Sequence, residues 1–138
     1  MVFADAVGTK LQTIKIFLVD DNRFFLESLS FLLSRQNDME VIGTSSRARG
    51  TIKLIEDNNP DVIILDFRLP DQDGISLLEE IKSHFDIPVI MLSMYEEYKE
   101  RAVRNGAFAS LVKGVGLDAR YQAIRCAYRS CQVTGEKQ

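Results

Sequence analysis

Residues 63–74, IILDFRLPDQDG, decide how this chain reads: an apolar run ends on one carboxylate, Asp66, and then breaks at Pro70 and Gly74. A short apolar run bounded by turn residues fits a strand covered on both faces. Buried-strand sequence seldom ends on an acid without a chemical reason. The rest of the chain supplies that reason.

Four further apolar runs stand at 14–19, 41–44, 87–92 and 108–112, beside the one at 62–65. Between them, apolar residues recur at helical spacing: Phe25, Leu29 and Leu32; Leu77, Leu78 and Ile81; Leu117, Tyr121, Ile124 and Tyr128. Breakers separate the segments at Asn58-Asn59-Pro60, Pro70, Gly74, Gly106 and 114–116. Five strands alternating with five helices predict βαβ crossovers and a parallel sheet in one three-layer α/β domain. Sheets of this kind bind ligands beyond the carboxyl ends of their strands, where strand order reverses.

The strand exits therefore carry the chemistry. The first run ends on Asp20 and Asp21, the third on Asp66, the fourth on Ser93 and the fifth on Lys113. In a parallel sheet all five gather at one edge. Clustered carboxylates repel: a like-charge pair at 4 Å costs about 1 kcal/mol in water and about 4 kcal/mol at an effective dielectric near 20. A hard divalent cation offsets that, and Mg²⁺ is held by one or two carboxylates while keeping positions open for a phosphoryl oxygen. Such an ion neutralises Asp20 and Asp21 and leaves Asp66 free as a nucleophile toward phosphorus. Lys113 then pairs with the phosphoryl charge, and Ser93 donates a hydrogen bond to it. Taken singly, each residue has an ordinary reading: Asp20 and Asp21 as helix N-terminal acids beside the N-cap residue Asn22, Asp66 as a turn cap, Lys113 and Ser93 as surface groups. Their joint placement on one edge argues for a shared pocket.

Composition bounds the alternatives. The 138 residues, 46% apolar and 27% charged, suit one domain that hides roughly two-thirds of its unfolded surface. A net charge of -3 and a pI near 5.2 argue against direct nucleic-acid contact by this segment. No apolar run approaches the roughly 20 residues that span a bilayer, and residues 1–13 lack the apolar centre of a signal peptide. A cytoplasmic protein without membrane contact is expected. Cys126 and Cys131 fall about 140° apart around a helix, so they form no pair. His84, the single histidine, reads as a surface residue, and no Ser-His-Asp triad or His-rich metal site can be built. Phe24-Phe25, Tyr121 and Tyr128 read as core and helix-packing groups, with a homodimer face on the last helix left open.

Asp20-Asp21, the D-x-x-x-P-x-x-D-G run of Asp66, Pro70, Asp73 and Gly74, then Ser93, and Lys113 after GAFASLV together resemble the receiver domain of two-component response regulators. The segment LSMYEE resembles the subfamily that continues into a helix-turn-helix DNA-binding domain. The resemblance implies a flavodoxin-like fold, a doubly wound five-stranded parallel sheet of order 2-1-3-4-5 with five helices, the order that receivers illustrate. It implies a domain over 14–132, an N-terminal extension over 1–13 and a tail or linker start over 133–138. It also implies phosphate transfer to Asp66 from a sensor histidine kinase. Mg²⁺ is then held by Asp20, Asp21, Asp66 and the Arg68 backbone carbonyl, and Ser93 and Lys113 read the phosphoryl group. Arg68 and Tyr95 are candidates to flank that group. DNA enters only through an output domain beyond residue 138.

Three departures stand out against the pattern. Ser110 occupies the position of the usual Tyr or Phe switch. Gly114 replaces the residue, often proline, that follows the lysine. The segment 93–106 is about two residues short by comparison with the family, so a short or displaced fourth helix is expected. The altered face is the one receivers use for output, which raises an alternative: a degenerate receiver acting only as a protein-protein interaction module. Two other classes fit less well. A haloacid dehalogenase-type phosphatase needs a second Asp where Arg68 stands, and an FMN carrier needs a phosphate-cradling first loop where Asp20-Asp21 repels phosphate.

Overall fold

The computed structural model describes residues 13–137. The extension expected over 1–13 therefore lies outside the described residues except for Thr13, as does Gln138 at the end of the expected tail. The chain alternates β1 (Ile14–Val19), α1 (Arg23–Ser34), β2 (Met39–Ser45), α2 (Thr51–Asn58), β3 (Val62–Asp66), α3 (Gly74–His84), β4 (Val89–Ser93), α4 (Lys99–Arg104), β5 (Ala109–Val112) and α5 (Leu117–Lys137). All strand pairs are parallel, in the order β2-β1-β3-β4-β5. This is the flavodoxin-like arrangement anticipated from the sequence.

Alternation along the strands divides the core into two layers. Phe17, Val19, Ile63, Leu65, Val89 and Met91 face one side, where Ile55 of α2, Leu77, Leu78 and Ile81 of α3, and Ala102 of α4 cover them. Ile14, Ile16, Leu18, Val62, Ile64, Ile90 and Leu92 face the other, under Leu29 and Leu33 of α1 and Ile124 and Ala127 of α5. Because side chains alternate with period two, a strand buried on both faces must be apolar throughout. Every residue of β3 and β4 is buried. Their apolar sequences follow directly.

Helix ends have local causes. Asn22 caps α1 by accepting the Phe25 N–H at 3.0 Å, and Asp73 caps α3 by accepting the Ser76 N–H at 2.8 Å; each cap contributes about 1 kcal/mol. Asn59 closes α2 in the left-handed region at φ 46°, with its N–H donating to the Ile55 carbonyl at 2.8 Å, and Pro60 prevents continuation.

Some boundaries differ from the apolar runs. β2 extends to Met39–Ser45 rather than 41–44; as an edge strand it tolerates exposed Glu40 and Thr44, so apolarity alone truncates it. Its register slips between the Ile16 and Phe17 pairings, where Phe17 meets Gly43. A Cβ at Gly43 would lie 2.8 Å from the Phe17 ring, so glycine permits that approach. β4 begins after Pro88. Phe108 falls outside β5 and is exposed. Phe24, expected in the core, is 80% exposed. It lies about 100° around α1 from Phe25, off the stripe that buries Leu29 and Leu33. α4 is six residues long and is preceded by a single 3₁₀ turn, Glu96–Tyr98, in line with the short fourth helix expected. α5 runs past 132 to Lys137.

Candidate functional site

The sheet order reverses between β1 and β3, and the residues that leave these strands meet. Asp20 follows β1 and is 3% exposed; its N–H donates to the Ser45 carbonyl at 3.0 Å. Asp66 ends β3 and is 6% exposed. Asp21 is exposed at the rim. One carboxylate oxygen from each of the three lies within 4.8 Å of the others.

Gly74 and Asp73 hold the strand exit in shape. The Gly74 N–H donates to the Phe67 carbonyl at 2.7 Å, and a Cβ on Gly74 would stand 2.5 Å from the Asp66 carbonyl oxygen. Arg68 and Asp73 form a backbone bridge across the loop. The D-x-x-x-P-x-x-D-G spacing thus has a mechanical meaning: Asp73 caps α3, and Gly74 lets the helix start against the strand that presents Asp66. Asp71 adds a tie that sequence reasoning missed. Its carboxylate accepts the Ala48 and Arg49 N–H groups at 2.8 and 2.9 Å, which keep its pKa below the usual range.

Lys113 leaves β5 and reaches the acids. Its N–H donates to the Ser93 carbonyl at 2.8 Å, and its Nζ lies 2.7 Å from Asp20 Oδ2 and 3.5 Å from Asp66 Oδ1. Asp20 Oδ1 accepts the Asn22 N–H at 2.9 Å. Oδ2 is buried, and the Lys113 ammonium 2.7 Å away is its counter-charge. One ammonium against three carboxylates leaves the site anionic. Burial first, and then the Asp20 charge, push the Asp66 carboxyl up from 3.8 to about 6, against the opposing pull of Lys113 and the Arg68 N–H.

These features fit a hard cation. The donors are all carboxylate oxygens, they converge, and their combined charge exceeds that of the one ammonium beside them. Asp20, Asp21 and Asp66 are the side chains that would hold Mg²⁺.

The other candidates are less convergent. Ser93 is buried at the end of β4, one residue past Leu92, the pairing partner of Asp66. Its hydroxyl closes a local turn, donating to the Tyr95 carbonyl and accepting the Tyr95 N–H, each at 3.0 Å. The Arg68 side chain is exposed, as is Tyr95, whose ring meets Tyr98 edge-on at 6.1 Å. Ser110 is buried on β5 beside a cavity of about 90 Å³ lined also by Tyr95, Lys99 and Val112. No cis peptide bond occurs among the described residues. A wider groove of about 890 Å³ between α1 and the loop after β2 reaches the acids only at Asp21. His84 is exposed near the end of α3, Cys126 is exposed and Cys131 half-buried, both free, and Tyr121 and Tyr128 pack half-buried against the core, as expected.

Two residues at the site were not read from the sequence. The Phe25 ring lies under the Lys113 ammonium, 4.5 Å from Nζ to the ring centre. Arg120 donates from its Nη2 to the Lys113 carbonyl. Phe25 shares the apolar stripe of α1, so its packing was legible, but its contact with the lysine that follows β5 was not.

Comparison with known proteins agrees with this geometry. The family described as "response regulator receiver domain" matches residues 16–125. The response regulator protein VraR of Staphylococcus saprophyticus is 31% identical over 120 residues, covering 85% of this chain and 57% of that protein. The transcriptional regulatory protein DegU of Brevibacillus brevis is 28% identical over 115 residues, covering 81% and 49%. A crystal structure of a DNA-binding response regulator of the LuxR family from Staphylococcus aureus superposes with a TM-score of 0.76 at 27% identity, covering 83% of this chain and 98% of that one. The chain spans about half the length of the curated relatives it matches. No described helix is long and apolar enough to cross a membrane. The match across most of the chain, the 2-1-3-4-5 sheet and the acids gathered at its switch point identify the chain as a member of the response regulator receiver domain family, the phosphoacceptor module of two-component signalling.

Proposed function

We propose that Asp66 is the phosphoacceptor and that a sensor histidine kinase is the donor. The observation that carries this reading is the placement of Asp66 at the end of β3, within 4.8 Å of the oxygens of Asp20 and Asp21 and 3.5 Å from Lys113 Nζ. An Asp66 carboxylate oxygen bonds to phosphorus as the phosphohistidine P–N bond breaks, and the electron pair returns to the imidazole nitrogen. Without a cation, burial and the Asp20 charge push this carboxyl up to about 6; a cation beside it would favour the ionised form that attacks phosphorus. Asp20, Asp21, Asp66 and the Arg68 backbone carbonyl would hold Mg²⁺, which would supply charge neutralisation for the entering phosphoryl oxygens. Lys113 pairs with the phosphoryl charge once Asp66 is esterified. Ser93 reaches that group only by exchanging its Tyr95 turn for a new partner.

In this reading the protein is a substrate of its kinase that takes part in its own phosphorylation and slow hydrolysis, not a turnover enzyme. It is cytoplasmic, with an extension over 1–13 and a receiver from 14 whose last helix carries on to Lys137, through most of the stretch 133–138 expected as a tail or linker start. The names of its relatives support a role in transcription regulation within a longer chain, with DNA bound by an output domain; a second copy of the chain is a further partner in this reading. Intact mass after incubation with acetyl phosphate and Mg²⁺ tests the assignment. One added phosphoryl group, absent in Asp66→Asn, is expected; no adduct on the native protein, or an undiminished one on the variant, refutes it.

The buried Ser110 and its small cavity favour a second reading, a receiver that acts only as a protein-protein interaction module. A side chain this small cannot swing between buried and exposed positions as a ring does. Identical affinity for partners with and without the phosphoryl group would support that alternative.

A further inference from the structure

We infer that Phe25 and Arg120 are positioning residues that hold Lys113 ready for the phosphoryl group; the inference rests on the reading of Asp66 as phosphoacceptor. Lys113 stands in a turn with little to fix it. Gly114 follows, exposed, and a Cβ there would touch nothing within 4 Å. The turn closes through one bond, from the Val115 N–H to the Val112 carbonyl at 3.0 Å. A lysine stem on such a turn carries about 2 kcal/mol of rotamer entropy, and that disorder would blunt its value as a preorganised charge.

Both polar groups of the Lys113 backbone are nevertheless tied, to separate elements. Its N–H is held by the Ser93 carbonyl of β4, and its carbonyl accepts from Arg120 of α5. The ammonium is bracketed in turn. Asp20 and Asp66 lie on one side at 2.7 and 3.5 Å, and the face of Phe25 lies 4.5 Å from Nζ on another. The Arg120 guanidinium stands over the same ring at 5.6 Å. Its Nε is buried and has no hydrogen-bond partner, so the side chain gives up solvation to reach this place. A phenyl face attracts a cation without offering a proton acceptor. It therefore restrains the ammonium without competing with a phosphoryl oxygen for its protons. Helices α1 and α5, which meet on one face of the sheet, thereby set the stance of a residue that neither helix contains.

The test compares Phe25→Leu, Phe25→Tyr, Arg120→Met and Arg120→Lys with the native chain. Initial rates of phosphorylation by acetyl phosphate at saturating Mg²⁺ are expected to fall roughly 3- to 10-fold in Phe25→Leu and Arg120→Met, while Mg²⁺ affinity by calorimetry stays within about twofold of native. Phe25→Tyr, which keeps the ring, should restore the native rate, and Arg120→Lys, which keeps a donor, should recover part of it. An independent reading needs no phosphorylation: in metal-free protein the Lys113 ε-methylene protons should show an upfield ring-current shift that vanishes in Phe25→Leu and persists in Phe25→Tyr. Native rates in Phe25→Leu, or an ε-methylene resonance insensitive to loss of the ring, overturn the inference. Native protein that takes no phosphoryl group, with the ring-current shift still lost in Phe25→Leu, overturns the phosphoacceptor reading and leaves the positioning geometry supported.

Discussion

Replacing Asp66 by Asn should stabilise the metal-free protein at pH 8, and much less at pH 4.5. In the fold the carboxyl titrates near 6, because burial and the Asp20 charge disfavour ionisation, whereas its ordinary value is 3.8. The unfolded chain therefore ionises first as pH rises. Below 3.8 both states hold the proton and the residue is neutral to stability; through the interval up to about 6 stability is lost, and above it the full cost remains. Linkage sets that cost at no more than about 3 kcal/mol at pH 8 and about 1 kcal/mol at pH 4.5. Residual solvent at the site lowers both figures. Asn keeps the size of Asp66 and removes its charge, so the variant should melt roughly 5–10 °C above native at pH 8 in EDTA. Millimolar Mg²⁺ should raise the native melting temperature and narrow the gap, since the ion binds the native acids better than the variant. Thermal melts by circular dichroism at the two pH values, with and without the ion, measure all of this. A variant no more stable than native at pH 8, or a gap that does not shrink on acidification, would refute the account of a strained acidic pocket.

Two further outcomes follow, one from the site and one from the opposite edge of the sheet, where β1 and β2 begin. Gly74→Ala should cost about 1–3 kcal/mol in denaturant unfolding and slow phosphorylation, because its Cβ would stand 2.5 Å from the Asp66 carbonyl oxygen and 2.7 Å from that of Phe67; an unchanged midpoint and rate would contradict the close approach. Arg125, which pairs with Asp38 at 2.8 and 2.9 Å, holds the Asp38 carboxyl below its usual value of 3.8. Stability from this half-exposed pair is present above that value and lost as pH falls through the lowered one, and should amount to under about 1 kcal/mol. A double-mutant cycle of Asp38→Asn and Arg125→Met run at pH 7 and pH 3 checks it, and a coupling that grows on acidification would show the sign to be wrong.

The parts legible in the sequence are those fixed by period and by strand ends. β3 and β4 are buried on both faces, so their apolar runs marked them, and the acids at 20, 21 and 66 were predictable as neighbours once the sheet was parallel. β2 was read too short because an edge strand carries exposed polar residues that break the run. Phe24 and Phe25 are identical neighbours, and only the phase of α1 separates the exposed ring from the one beneath Lys113. The turn that occupies the Ser93 hydroxyl and the Arg120 contact with the Lys113 carbonyl depend on side-chain directions across distant segments. Spacing along the chain does not encode those directions.

The most direct measurement locates the phosphoryl group. After treatment with acetyl phosphate and Mg²⁺, borohydride reduces an aspartyl phosphate to homoserine, which tandem mass spectrometry places in the sequence. The account predicts homoserine at position 66 alone; homoserine at 20 or 21, or none anywhere in a protein shown to be folded and Mg²⁺-bound, would contradict it.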